Sequence, residues 1–341
     1  MRRNLSLFFL SFLASSALVK MDAKALSLPD VPPAVRQTIK ANSSGRTISA
    51  IARTEDGGEV SYEVTTMAAG GKTWDLVVAE NGKLLSIDIP PTAAPPAVQA
   101  AIQRQMGQGT LAGIAKEFDE EEPIYEAGIT APNGAERDFT FAEDGTLIGE
   151  EVAPNDLPSA VQTAVNAYLG KGLLVDIEKE FDGPAPTYRV GITAPNDAER
   201  DFTFAEDGSL VSQEMRWAEL PPAIQTAIKI QLRQAKLESI DKTFDNGEVS
   251  YEVTKILPSG QEHDFTISAT GALTSQEMSL AEMPPVVRNT ILRTIGDGKI
   301  LRIDQQCDAP GVNPYHIEAL KDGKPFNFIV GQKGKFRGMD N

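Results

Sequence analysis

The chain repeats itself at a step of 63 residues, and that period limits its fold more than any single motif does. Ile51, Ile114, Ile177, Ile240 and Ile303 recur at this spacing. So do Gly82, Gly145, Gly208, Gly271 and Gly334. Between them run Asp75, Asp138, Asp201, Asp264 and Asn327. Repeats of this kind present surface rather than one catalytic pocket. The period predicts five tandem modules, at 26–89, 90–152, 153–215, 216–278 and 279–341.

The module at 216–278 shows the local logic. Leu220-Pro221-Pro222-Ala223-Ile224 opens it, and proline suits the first turn of a helix, where an N–H would be unbonded anyway. Ile224, Ile228 and Leu232 then share one helical face. A first strand runs from Leu237 to about Phe244, and Asp245-Asn246-Gly247 turns the chain. Val249, Tyr251 and Val253 alternate with polar residues, as in a half-buried strand. Phe265 and Ile267 mark a third strand, and Leu273 begins a fourth. The predicted class is α+β, with each module one helix packed on a four-stranded antiparallel meander. A module of this size is marginal alone, so neighbours are expected to couple, either by joining sheets edge to edge or by sitting side by side. The last module carries one inserted residue before Tyr315 and extra lysines, as a capping repeat would.

The ends bound the compartment. Arg2 and Arg3, an apolar run from Leu5 to Val19 and Ala23-Lys24-Ala25 read as a signal peptide over 1–25, cleaved after Ala25. An uncleaved anchor is the alternative, although the run is short of the ~20 residues a spanning helix needs. The mature chain is expected in the periplasm or outside the cell, with no membrane insertion. Cys307 is the single cysteine, so no intrachain disulfide supports the fold, and a partly buried, inert thiol is expected.

The net charge is −16, and removing Arg2, Arg3, Lys20 and Lys24 with Asp22 takes it to −19. That opposes binding to nucleic acid or anionic membranes. Residues 90–152 hold 12 acidic and 3 basic side chains, whereas 279–341 hold 7 and 9. A generally acidic surface for solubility accounts for part of this. The gradient points to a basic partner near the second and third modules.

The recurring pattern reads Leu-Pro-x-x-Val/Ile, an isoleucine strand, Tyr-Glu-Val, Asp-Phe-Thr and Asp-Gly-x-Leu. Its carriers include Leu220-Pro221 with Ile224, Ile240, Tyr251-Glu252-Val253, Asp264-Phe265 and Gly271 with Leu273. Tyr188-Arg189-Val190, Asp201-Phe202-Thr203-Phe204 and Asp207-Gly208-Ser209-Leu210 repeat it. This resembles the PepSY-like family of exported bacterial domains, related in fold to the beta-lactamase inhibitory protein. The resemblance implies a helix on an antiparallel sheet, an exported location, and binding or inhibition of other proteins. It specifies a fold and names no ligand.

Catalytic chemistry is thin. The histidines are His263 and His316, and His263, in the place of Arg137 and Arg200, reads as a surface strand residue. No nucleophile, base and orienting group assemble, and no hydrolase, zinc or phosphate motif occurs. The chain is therefore read as not an enzyme, with no cofactor and no assigned metal ligand. Weak calcium binding remains an alternative, on Asp119 to Glu122, Glu143-Asp144-Gly145 and Glu206-Asp207-Gly208. Asp-Gly is also ordinary hairpin chemistry.

The outward sheet face is the candidate binding surface. By alternation it carries Glu63, Glu126 and Glu252, with Arg189 in the same position of the third module. Beside them lie Asp138, Asp201 and Asp264 with Thr140, Thr203 and Thr266. A solvated face is the plain alternative; repetition would add affinity. Asp88, Glu151, Glu214, Glu277 and Asp340, again 63 apart, could pair with a base of the next module or end their strands in water. Trp74 is expected in a core and Trp217 at a linker, locking the third and fourth modules. The expected function is an exported, non-enzymatic protein that binds a protein partner, with inhibition of an exported hydrolase as one form. A structural spacer of rigid repeats is the competing reading.

Overall fold

The computed structural model describes residues 26–43, 45–56, 59–118, 123–181, 183, 185–195, 198–307, 313–321 and 324–339. The expected signal peptide with its expected cleavage after Ala25, the acidic run at 119–122 and Asp340 lie outside them. The chain divides into two compact units, Met1–Leu157 with Ile177–Thr187, and Pro158–Asp176 with Tyr188–Asn341.

The first unit begins with a 3-10 turn, Leu28–Asp30, and then α1 (Pro33–Asn42), β1 (Thr47–Asp56), β2 (Glu59–Met67), β3 (Thr73–Ala79) and β4 (Leu84–Asp88). The order recurs as a 3-10 turn at Pro91–Ala93, α2 (Pro96–Met106), β5 (Thr110–Glu117), β6 (Ile124–Thr130), β7 (Glu136–Ala142) and β8 (Leu147–Glu151). The unit also holds residues 177–180 of β9 (Leu173–Glu180). The second unit holds α3 (Ser159–Leu169), β10 (Thr187–Thr193) from Tyr188, β11 (Glu199–Ala205) and β12 (Leu210–Glu214). It continues through α4 (Pro222–Leu232), β13 (Lys236–Asp245), β14 (Glu248–Ile256), β15 (Glu262–Ser268) and β16 (Leu273–Glu277). Last come α5 (Pro285–Ile295), β17 (Lys299–Gln306), β18 (Tyr315–Lys321), β19 (Lys324–Pro325), β20 (Phe328–Val330) and β21 (Phe336–Met339). All the paired strands are antiparallel, and each helix covers the apolar face of its own strands.

Proline caps every helix start, at Pro32, Pro95, Pro158, Pro221 and Pro284. The first buried turn is Val35, Val98, Val161, Ile224 or Val287, each fully sealed. In the α1 core Val35 and Ile39 pack with Ile51, Tyr62, Val64, Leu76 and Val78. In the α4 core Ile224 and Ile228 meet Ile240, Tyr251, Val253, Phe265 and Ile267. The glycine that recurs at 63 residues has two causes. Gly145 and Gly208 adopt φ of +80° and +81°, which the hairpin before the fourth strand needs. A Cβ at either would also stand 2.6 Å from a helix carbonyl, that of Ala97 or Ala160. The hairpin is tucked under the first turn of the helix, and Thr38 Oγ1 donates to the Gly82 carbonyl at 2.7 Å to hold one such contact.

Successive segments join edge to edge. β4 pairs with β5 through Ser86↔Glu117, Ile87↔Lys116 and Asp88↔Ala115. The same register recurs between β8 and β9 at Glu151↔Glu178, between β12 and β13 at Glu214↔Asp241, and between β16 and β17 at Glu277↔Asp304. A backbone bond extends each junction, as from Ile89 N to the Ile114 carbonyl at 2.9 Å. This answers the question the sequence left open.

Three expectations are corrected. The last segment has five strands rather than four, because its third strand breaks into β19 and β20 around Phe326 and Asn327. His263 is buried, not a surface residue, at 6% exposure. Trp74 is half-buried between two cations, Arg46 and Lys72, 4.7 and 4.5 Å from its ring, rather than among the α1 core residues. Trp217 packs on the α4 core, and Gln225 Nε2 donates to its carbonyl at 3.1 Å. Cys307 is half-buried. Among the described residues no helix is long and apolar enough to cross a membrane.

Candidate functional site

The alternation that buries Tyr125 and Ala127 against α2 places Glu126 on the opposite face of β6. That face is not solvated here. Glu126, Asp138 and Thr140 are 3%, 2% and 2% exposed, and β6 is buried on both sides from Ile124 to Ile129. Ladder register brings them together, with Glu126 opposite Thr140 and Asp138 opposite Gly128. Four further carboxylates surround the pair. Glu126 faces Glu117, Asp138 and Glu178, and Asp138 faces Glu151 and Glu136. Burial, then these like charges, push the Glu126 carboxyl up to about 9 and that of Asp138 to about 6. Thus Glu126 keeps its proton at neutral pH.

Glycine makes the crowding possible. The Glu178 carboxylate lies where a Cβ on Gly149 would stand. In the second unit the Asp176 carboxylate lies where a Cβ on Gly191 would stand, a different strand position. A glycine inside a strand marks such a close approach.

The second unit holds a related cluster with a cation in it. Asp264, Glu277 and Asp304 gather around Arg302, whose Nη1 lies 3.1 Å from Asp264 and 3.5 Å from Glu277. Its Nε donates to both Asp304 oxygens, at 3.0 and 2.9 Å. Arg302 follows a bulge in β17 between Ile300 and Arg302, a device that re-aims side chains. Even with Arg302 beside it, burial lifts Glu277 to about 7. Between these extremes Arg189 pairs with Asp201 at 3.3 Å and Asp176 at 3.8 Å. Asp241, buried among Glu252, Glu214, Asp201 and Asp264, is raised to about 7.

The remaining candidates are dispersed. Glu63 is half-buried, its carboxyl raised by burial and by Asp75. Thr203 and Thr266 lie opposite Ser212 and Ser275, with Ser275 Oγ donating to Thr266 Oγ1 at 3.0 Å. The acid that ends the fourth strand mainly serves its own segment. Asp88 accepts the Asp75 N–H at 2.8 Å, while Glu214 and Glu277 accept those of Asp201 and Asp264 at 3.4 Å. Glu277 also reaches a base of the next segment, Arg302.

Sequence reasoning missed Glu178, Asp241 and Asp304. The signal was present, because these acids are themselves 63 residues apart, each following the repeated isoleucine. A second omission was the partner of the Arg137 position. Arg137 reaches Asp156 at 2.7 Å, Arg200 pairs with Glu219, and His263 faces Glu282, so a strand-three base pins the following 3-10 turn. The Asp-Gly turns hold themselves: Asp144 Oδ1 accepts from Thr146 N at 2.9 Å and Asp207 Oδ1 from Ser209 N at 2.9 Å. Among the described residues no group of three or more His, Cys, Asp or Glu side chains is placed to hold a metal ion.

Comparison with known proteins agrees with the resemblance read from the repeats. Residues 11–86 match the family described as "Putative beta-lactamase-inhibitor-like, PepSY-like". Among solved structures, a Bacteroides eggerthii protein described as "putative periplasmic" is 24% identical, with 35% of this chain and 87% of that one covered at a TM-score of 0.29. A BLIP-like protein from Bacteroides fragilis is 23% identical, covering 37% and 86%, at 0.28. A Bacteroides thetaiotaomicron protein described as "putative calcium-regulated periplasmic" is 20% identical, covering 38% and 98%, at 0.27. No curated protein matches the chain.

Proposed function

We propose that this is an exported, non-enzymatic binding protein built of five modules, each a helix with its own strands, at the boundaries read from the 63-residue period. The buried carboxylate face of β6 and β7 is the observation that carries this reading. Solubility asks only for exposed charge, whereas Glu126 and Asp138 are sealed in the sheet at a cost in stability. A basic protein partner is the complement to that face, and inhibition of an exported hydrolase is one form such binding would take. Beyond the family match at 11–86, the apolar leader supports export. The test is a crosslinking pull-down with the mature chain from Leu26 onward against the native envelope and secreted fractions. One stoichiometric partner, lost on Asp138→Lys with Asp201→Lys, is the expected result; no partner in either fraction would sink the reading.

A rigid spacer is the second reading, favoured by the ladders between β4 and β5 and between β16 and β17. It predicts an empty pull-down and an extended, stiff particle in small-angle scattering.

A further inference from the structure

Two carboxylate oxygens of the first unit, Glu126 Oε1 and Asp138 Oδ1, are buried with no hydrogen-bond partner. An orphaned buried oxygen is expensive. It calls for a proton or a cation, and the second unit shows which cation this scaffold accepts. Asp264 and Glu277 stand 126 residues after Asp138 and Glu151, in the same strand positions, and a guanidinium lies between them.

Building on the protein-binding reading, we propose that Glu126 and Asp138 form a receptor site for an arginine side chain of a basic partner protein. In the second unit the arginine comes from the chain itself, at the position after the bulge of β17. Counting back 126 residues from Arg302 reaches Asp176, an acid, so the chain does not repeat its own cation at that position. A guanidinium presents five donors in a planar fork and is weakly hydrated, which suits two carboxylates set in neighbouring strands. A metal would need three converging ligands, which no described group supplies. Glu136, the exposed member of the cluster, marks the side on which the cluster meets solvent. The 12 acids against 3 bases of residues 90–152 steer a basic partner to this unit. A cation in this site favours the ionised carboxylates, so binding releases the proton that Glu126 holds and tightens as pH rises.

The test is calorimetry of the mature chain with hexa-arginine amide, and separately with hexa-lysine amide and calcium chloride, in two buffers of different ionisation enthalpy at pH 6 and pH 8. The comparison variant, E126Q/D138N, keeps the side-chain shapes and removes the two groups that can ionise to hold a cation, and a circular dichroism spectrum and urea midpoint like those of the wild type check that it folds. The wild type should bind hexa-arginine about tenfold or more tightly than the variant, prefer it to hexa-lysine, and release protons on binding. Equal affinity of wild type and variant would overturn the proposal, since general acidity alone would then explain binding. A calcium response of the wild type that the variant lacks, without an arginine preference, would overturn it in favour of a metal site. A partner still captured in the pull-down after either result would leave the protein-binding reading standing while the arginine site falls.

Discussion

The carboxylates around Asp138 and those around Asp264 occupy the same strand positions, yet they meet burial in different ways. Asp264, Glu277 and Asp304 remain 16–18% exposed and share Arg302. Glu126 and Asp138 are more deeply sealed, and the charges that face them are acids. The scaffold can therefore seat a carboxylate triad in its sheet, but it needs either a cation or a proton to do so. The second unit has built in the cation; the first keeps the proton, at the site proposed for a foreign cation.

The largest expected effect is the loss of Arg302. Arg302→Ala should leave three part-buried carboxylates facing one another and destabilise the chain by about 3 kcal/mol, the low end for breaking a buried pair, because the cluster is not wholly sealed. Urea unfolding at pH 7 measures it. Adding Asp264→Asn and Asp304→Asn should recover most of the loss. If Arg302→Ala is neutral, the two clusters do not differ in the way stated.

Next is the proton. Glu126 is raised from 4.5 in the unfolded chain to about 9 in the folded protein. Between those values the folded state binds the extra proton, so its contribution is full below about 4.5 and is lost as pH climbs through about 9. Glu126→Gln removes the term and should flatten the alkaline side of the stability curve, gaining roughly 2 kcal/mol at pH 9 and little at pH 5. Denaturant midpoints across that range decide it. A variant as pH-sensitive as the wild type would place the proton elsewhere.

Gly149→Ala tests the space that lets the first cluster close. Its Cβ would meet the Glu178 carboxylate, a side chain that can swing away, so the cost should be about 1 kcal/mol rather than the larger penalty of a backbone clash. The same change should relax the crowding of Glu126 and lower its pKa, a shift that carboxyl carbon resonances would report. An unmoved titration would show that Glu178 does not govern Glu126.

What the sequence makes legible follows from period and polarity. The 63-residue step and the proline starts locate the five α-helices of the described residues, and alternation places Tyr251 and Val253 in the core with Glu252 away from it. Alternation reports which face a side chain takes, not whether that face is wet, so the burial of Glu126 and Thr140 was beyond its reach. His263 fails for the same reason: it shares a register with two arginines, yet it is buried in the sheet facing Glu282. Arg302 and Asp304 were hidden by local geometry. The bulge between Ile300 and Arg302 resets the two-residue period just where the cation sits. Edge pairing depends on backbone groups that every residue carries, which is why the join between β4 and β5 could not be told from mere proximity.

The smallest effect would transplant the device of the second cluster into the one between the two extremes. Ser239 stands 63 residues before Arg302, also just after a bulge, between Leu237 and Ser239 in β13. It is half-buried, and the 63-residue counterparts of the acids around Arg302 are Asp201, Glu214 and Asp241, the last of which burial and its acidic neighbours lift to about 7. Because Asp241 is raised above its unfolded value of 3.8, its favourable contribution fades as pH rises through 7. Ser239→Arg should supply a guanidinium to the ionised carboxylate, draw its pKa down and restore stability on the alkaline side. The gain should be about 1 kcal/mol at pH 8 and near zero at pH 4, since the pair is part-exposed and the new side chain loses rotamer freedom. Urea midpoints at the two pH values measure it. A gain of equal size at both would mean that the arginine stabilises by packing its stem, and that charge is not what distinguishes these clusters.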